Sequence, residues 1–154
     1  MISDGEGKAL RESMQALQRY TYLQGEIDGV YHEIALKMGL SDSAMIILYT
    51  LYTHENACPL QTICQRSGLA KQTINSALRK LEADGALYLA PDGARSKRVC
   101  LTEAGQRLAE RTVCRLMAAE NDIFAAWPQA DAEKYLALSE KYLSALREKL
   151  LTDF

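Results

Sequence analysis

A chain of 154 residues with 48 % apolar side chains is long enough for one domain, or for a small domain with an oligomerisation appendage, and too apolar for a disordered segment. No run has the length of a membrane-crossing helix, and Met1-Ile2-Ser3-Asp4-Gly5-Glu6 lacks the basic start and apolar core of a signal peptide, so the expectation is a cytosolic chain with no membrane partner. The net charge of −2 alone argues against a polyanionic ligand, but between Arg66 and Arg98 seven cations stand against three acids, a net of +4 that leaves −6 on the remainder.

In chain order, residues 7–38 read as one long helix or two nearly continuous ones. Leu10, Met14 and Leu17 begin an apolar stripe that Ile27, Val30, Tyr31, Ile34 and Met38 continue at three- and four-residue steps. Gly25 and Gly29 weaken its middle, where a bend is expected, and Gly39 stops it. Ser41 or Asp42 caps the next helix, whose Ile46, Ile47, Tyr49, Thr50 and Leu51 make it apolar over most of its circumference, as a core helix is. Residues 54–59 read as a loop, Pro59 or Leu60 begins a short helix, and Ser67-Gly68-Leu69 is the turn of a helix-turn-helix.

The next helix places Ile74, Ala77, Leu78 and Leu81 on one apolar face and Lys71, Gln72, Thr73, Asn75, Ser76, Arg79 and Lys80 on the other. Short amides and hydroxyls touch base edges when a helix enters a major groove, and Arg and Lys reach phosphate or guanine. Gly85 closes the helix. Leu87-Tyr88-Leu89, a turn over Ala90-Pro91-Asp92-Gly93-Ala94 and the return run from Arg95 to Leu101 form a hairpin whose second strand opens with Arg95, Lys97 and Arg98. Thr102 caps a further helix bearing Leu108, Thr112, Leu116, Ala119 and Ile123, which Trp127-Pro128 ends. Asp131 begins the last helix, with Tyr135, Leu138, Tyr142, Leu146 and Leu150 on one face. The first helix and these last two carry more apolar surface than the middle of the chain can cover, which a second copy in a two-fold dimer would bury.

The order of helix, Leu81-Glu82-x-x-Gly85, short strand, basic loop and Val99-x-Leu101-Thr102-Glu103-x-Gly105 resembles the winged helix-turn-helix of the MarR family of bacterial transcription regulators. The resemblance covers roughly residues 41–105, and the flanking helices fit the family's dimerisation elements by length and position. It implies a mainly α fold: a winged helix-turn-helix over residues 41–102 with a small β-hairpin wing, flanked by N- and C-terminal dimerisation helices at residues 7–38 and 103–151, all in one intertwined unit. The family's wing usually reads Asp-x-Arg, the Arg entering the minor groove. Arg95 matches that Arg, whereas Gly93 stands at the Asp position and Asp92 is one residue early. The resemblance further implies a homodimer on a double-stranded, pseudo-palindromic operator, commonly a repressor released by a small phenolic or amphipathic effector. Its cleft would draw on Tyr22, His32, Met45, Tyr49, Tyr52 and Met117.

No Gly-rich phosphate loop, His-Glu-x-x-His pattern or Ser-centred elbow occurs, and the two histidines, His32 and His54, lack a nucleophile or metal motif. The chain is therefore read as no enzyme, with no metal and no cofactor. Its four cysteines, Cys58, Cys64, Cys100 and Cys114, show no Cys-x-x-Cys spacing and are expected as reduced thiols. Two alternatives follow from the residues: a redox-responsive regulator acting through Cys58, taken as accessible in its loop, or a winged-helix protein-interaction module whose cations are incidental.

Overall fold

The long apolar stripes of the sequence become helices, seven in all beside a three-stranded sheet in chain order, in a computed structural model, which describes residues 4–154. Met1, Ile2 and Ser3, part of the stretch read for a leader, lie outside the described residues. The helices are α1 (Asp4–Lys37), α2 (Asp42–Thr53), α3 (Leu60–Ser67), α4 (Lys71–Ala83), α5 (Glu103–Arg111), α6 (Val113–Ala125) and α7 (Gln129–Asp153); the strands are β1 (Ala57–Pro59), β2 (Leu87–Asp92) and β3 (Ser96–Leu101). The chain forms two compact units, the first ending at Ala109 and the second comprising Glu110–Phe154. No single helix among the described residues is long and apolar enough to cross a membrane.

The core of the first unit grows from α2, whose Ile47, Leu48 and Leu51 are fully buried, as the apolar circumference of that helix requires. Ile63 of α3, the Ile74, Leu78 and Leu81 stripe of α4, and Leu87, Val99 and Leu101 of the sheet are buried with them. Each such aliphatic side chain contributes about 1.5–3 kcal/mol by leaving water. The Ser41 hydroxyl caps α2 by accepting the Ala44 N–H at 3.1 Å. α1 runs unbroken from Asp4 through Gly25 and Gly29, so the expected bend is not a break in the helix, and it begins three residues earlier than its apolar stripe indicated.

Local geometry differs from the sequence expectation at four further places. Ala57–Pro59 is a strand rather than a loop, antiparallel to β3 with Cys58 opposite Val99. A three-residue strand has too little alternation to be read locally; the long-range pairing makes it. β2 runs on through Pro91 to Asp92, which pairs with Ser96, so the wing turn is residues 93–95 and Arg95 sits in the turn, not on the return strand. The strand order β1-β3-β2 leaves β2 on an edge, where a proline costs no ladder hydrogen bond. The helix expected to run unbroken from Thr102 is interrupted at Thr112, whose backbone (φ −120°, ψ −91°) leaves the α region and separates α5 from α6. α7 starts at Gln129, two residues before Asp131, with the Pro128 carbonyl accepting the Asp131 N–H at 2.9 Å.

The exit of α4 is fixed by its sequence. Gly85 takes φ +77° and the Ala86 N–H returns to the Leu81 carbonyl at 2.9 Å while the Gly85 N–H reaches the Glu82 carbonyl at 3.0 Å, a Schellman closure. Thr102 then fastens this corner to α5. Its N–H donates to the Ala86 carbonyl at 3.0 Å, its hydroxyl donates to the Gly85 carbonyl, and the same oxygen accepts the Gly105 N–H at 3.0 Å. Gly105 is required by this proximity, because a Cβ there would stand 1.8 Å from the Ala86 carbonyl oxygen, a backbone atom. We expect Gly105→Ala to destabilise the protein by about 1–3 kcal/mol or more through forced backbone displacement. The measurement is the urea midpoint; a midpoint equal to that of the parent chain would contradict the close approach.

Candidate nucleic-acid interface

The side chains of α4 divide by helical angle. With 3.6 residues per turn, Gln72, Ser76 and Arg79 point away from the buried Ile74, Leu78 and Leu81 stripe, Lys71 and Asn75 turn to one flank, and Thr73 and Lys80 turn to the other. All of these polar residues are exposed except Asn75, which is half-buried. Gln72 and Ser76 thus form the outermost rim of the helix. No side chain caps the helix at Ala70; the Ser67 hydroxyl instead accepts the Leu69 N–H at 3.2 Å, so the first amides of α4 remain open to an outside acceptor.

The wing presents its cations on two faces. Gly93 takes φ +79° in the turn, and Arg95 at its tip makes no ion pair among the described residues, Asp92 included. The carboxylate one residue early therefore does not hold the arginine. Along β3, side chains alternate, so Lys97 shares a face with the buried Val99 while Arg98 lies on the opposite face with Cys100. Arg98 donates through Nη2 to the Ala57 carbonyl at 3.4 Å. Of the three wing cations expected to act together, Arg95 and Lys97 face α4 and Arg98 does not.

Between α4 and the wing lies an open groove of about 930 Å³, lined by Lys71, Asn75, Arg79, Arg95 and Lys97 and by the acids Glu82 and Asp92, with Gln61 and Cys64 of α3 as further lining. Four cations against two acids leave the groove net positive, and with amide groups between its walls it suits a ligand that is polyanionic at its edges and carries hydrogen-bonding groups within, as a nucleic-acid duplex does. Gln61 and Cys64 escaped the sequence reading because nothing in a short helix marks which side a later hairpin will cover.

Residues 38–97 match the model of the MarR family. The fold of the whole chain is similar to that of a MarR-family transcriptional regulator from Silicibacter pomeroyi, 26 % identical, with 83 % of this chain and 90 % of that one covered and a TM-score of 0.65. Residues 38–97 thus carry the winged helix of the MarR family. This is a family of transcription regulators, not of enzymes, and its winged helix is the unit formed here by α2, α3, α4 and the sheet. The same fold is shared with S. aureus MepR in a MepR–DNA complex (20 % identity, 84 % and 96 % coverage, TM-score 0.66) and with Bordetella bronchiseptica BpsR, whose DNA binding is regulated by 6-hydroxynicotinic acid (20 %, 80 % and 98 %, 0.62). No curated protein matches the chain.

The other candidate residues lie on α1, α2 and α6. Tyr22 on α1 is 70 % exposed, Met45 on α2 is buried in the core, and Tyr49 and Tyr52 are half-buried on α2. Met117 lies on α6 in the second unit. His32 is not paired with its helix neighbours Asp28 or Glu33: its Nδ1 lies 2.9 Å from each carboxylate oxygen of Asp42, at the start of α2. That contact ties α1 to the winged helix and engages the ring that was a candidate for orienting a ligand.

Cys58 requires a correction. It is 1 % exposed, opposite Val99 on the core face of β1, and burial, partly countered by the positive charge of Arg98, pushes its thiol above the ordinary cysteine range. A buried, protonated thiol is a poor nucleophile, which removes the redox reading built on its accessibility. Because the folded state holds this proton more tightly than the unfolded chain, the stabilisation is complete below the ordinary thiol pKa and fades as pH rises through the folded value. In the native protein at about pH 8 we expect iodoacetamide to label the half-buried Cys64 and Cys100 well before Cys58. Peptide mass spectrometry reads the order, and equal rates at all three thiols would contradict it.

Proposed function

We propose that the chain is a cytoplasmic homodimer that binds a pseudo-palindromic DNA operator sequence-specifically and represses transcription until a small phenolic or amphipathic effector releases it. The observation that carries this reading is the outward polar rim of α4 flanked by the cations of the groove. α4 enters the major groove with Gln72 and Ser76 at the base edges and Asn75 beside them, Thr73 at the rim, and Lys71, Arg79 and Lys80 on phosphate. Arg95 reaches the adjacent minor groove or its backbone, supported by Lys97, while Arg98 acts on the hairpin from its far side.

Support for the dimer comes from the apolar side chains left exposed on the long helices. Leu10, Met14, Leu17, Leu23, Ile27 and Val30 on α1 and Leu136, Leu138, Leu143 and Leu150 on α7 are each more than two-fifths exposed, an apolar surface that a second copy would cover. Residues 7–38 and 103–151 are accordingly assigned to dimerisation and residues 41–102 to DNA. In the dimer the two α4 helices stand about 34 Å apart, one turn of the duplex. The effector reading rests on the likeness to BpsR, with the half-buried Tyr49 and Tyr52 of α2 as aromatic groups that would line such a site. A ligand that prefers another spacing shifts the dimer population away from the DNA-bound form.

Sedimentation equilibrium of the purified chain should give twice its 17.2 kDa mass. A monomer at micromolar concentration would remove the proposal of paired helices. On a duplex selected by the protein from a randomised pool, Gln72→Ala should cost about 1–3 kcal/mol and leave binding to random DNA nearly unchanged. Lys97→Ala should weaken both and make the salt dependence shallower by about one contact. Equal losses on selected and random duplexes for both variants would refute this division of labour.

A further inference from the structure

Asp followed by Gly occurs four times in the chain, at Asp4, Asp28, Asp84 and Asp92. In such a pair the glycine nitrogen has no side chain beside it to shield it, and it can attack the aspartyl carboxyl group one residue before. What holds that nitrogen differs from pair to pair. Gly29 lies inside the unbroken α1, whose interior amides are engaged in the helix ladder. The Gly85 N–H donates to the Glu82 carbonyl at 3.0 Å. Asp4-Gly5 opens α1, outside the winged helix. Gly93 stands apart from these. It is exposed in the wing turn at φ +79°, and its N–H donates to no carbonyl among the described residues. Nothing beyond its chain neighbours lies within 4 Å of where a Cβ would stand. Asp92, also exposed, makes no ion pair and no side-chain hydrogen bond among the described residues.

We infer that Asp92-Gly93 is a site of spontaneous covalent modification that disables the wing. The Gly93 nitrogen bonds to Cγ of Asp92, the carboxyl hydroxyl leaves with the amide hydrogen as water, and a succinimide ring closes. Water then adds to the main-chain carbonyl carbon of Asp92 and breaks its bond to the Gly93 nitrogen, leaving an isoaspartyl link that runs through Cγ. One water is lost and one gained, and the proton taken up by the first carboxylate returns when the new one ionises, so no co-reactant is needed. Charge is therefore conserved while geometry is not. The main chain gains one carbon where β2 ends, between the Asp92–Ser96 pair and the turn that carries Arg95. The longer turn takes Arg95 out of register with Lys97 on the wall of the groove. That consequence rests on the DNA-binding reading above, whereas the modification itself does not.

The test holds the full-length protein at neutral pH in heavy-oxygen water and digests it in ordinary water, so that each succinimide that opens leaves one heavy oxygen at its aspartate. Cleavage after Lys80 and Arg95 puts Asp84 and Asp92 on one peptide, where fragment ions locate the label. Asp92 should take up label about tenfold faster than Asp84 or Asp28, the factor set by one amide hydrogen bond that must first open at those two sites. The fraction of the aged chain that binds the pool-selected duplex should fall in step with its isoaspartyl content, counted by methyl transfer from S-adenosylmethionine with an isoaspartyl methyltransferase. Asp92→Glu, whose longer side chain closes such a ring poorly, should keep the binding fraction of its own fresh sample. Equal labelling of Asp84 and Asp92 would overturn the site. Full binding by a sample rich in isoaspartate at position 92, or loss of binding by Asp92→Glu at the parental rate, would overturn its effect on the wing. If the fresh parent chain selects no duplex, the DNA-binding reading fails, and the label at Asp92 still decides the modification.

Discussion

The contact on which the winged helix depends is the meeting of Gly105 with the carbonyl of Ala86. The residues proposed to read bases lie between Lys71 and Arg95, yet the position of that segment is set at its two ends, where α4 leaves the core and where β3 returns to it. Thr102 joins both ends through three hydrogen bonds, and the absent side chain at Gly105 lets the backbones approach closely enough to make them. The close of the Val99-x-Leu101-Thr102-Glu103-x-Gly105 stretch, which reads from the sequence as a family signature, is in physical terms a fastening. It contacts no bases in the proposed mode, but it determines the angle between α4 and the wing.

With that angle fixed, charge does the rest. Arg79 of the groove sits on a helix whose opposite face, Ile74, Leu78 and Leu81, is buried in the α2-centred core, so it cannot turn inward without exposing that stripe. The chain sums to −2 while the segment from Arg66 to Arg98 sums to +4, a segregation of charge that favours encounter with a polyanion through this segment. The His32–Asp42 contact makes α1 part of the same mechanical frame. A displacement of the long helix would be felt at the N-terminus of α2.

Helix periodicity made most of this fold legible. The stripes of α1, α2 and α4 are long enough for apolar spacing to identify them, and Gly85, Ser41 and Thr102 mark ends by side-chain chemistry that acts locally. What escaped depends on partners distant in sequence. β1 exists because β3 lies beside it, and with β1 goes the burial of Cys58, which local reading placed in an accessible loop. The pairing of His32 with Asp42 crosses a helix end and has no spacing rule to betray it. The wing was located correctly but its turn was placed too early, since Pro91 reads as a turn residue unless its strand is known to lie on an edge. The polar residues of α4 were identified together, but only the fold could sort them into an outer rim and two flanks, and only strand parity could separate Lys97 from Arg98.

That edge position of β2 has a bearing on how copies of the protein coexist. A bare strand rim is an invitation to backbone pairing between molecules, and proteins concentrated along a duplex would be brought rim to rim. Here the outer strand carries Pro91, which has no amide hydrogen to offer, close to a tip bearing Arg95. A rim without that hydrogen, ending beside a positive charge, is a poor template for such pairing between copies.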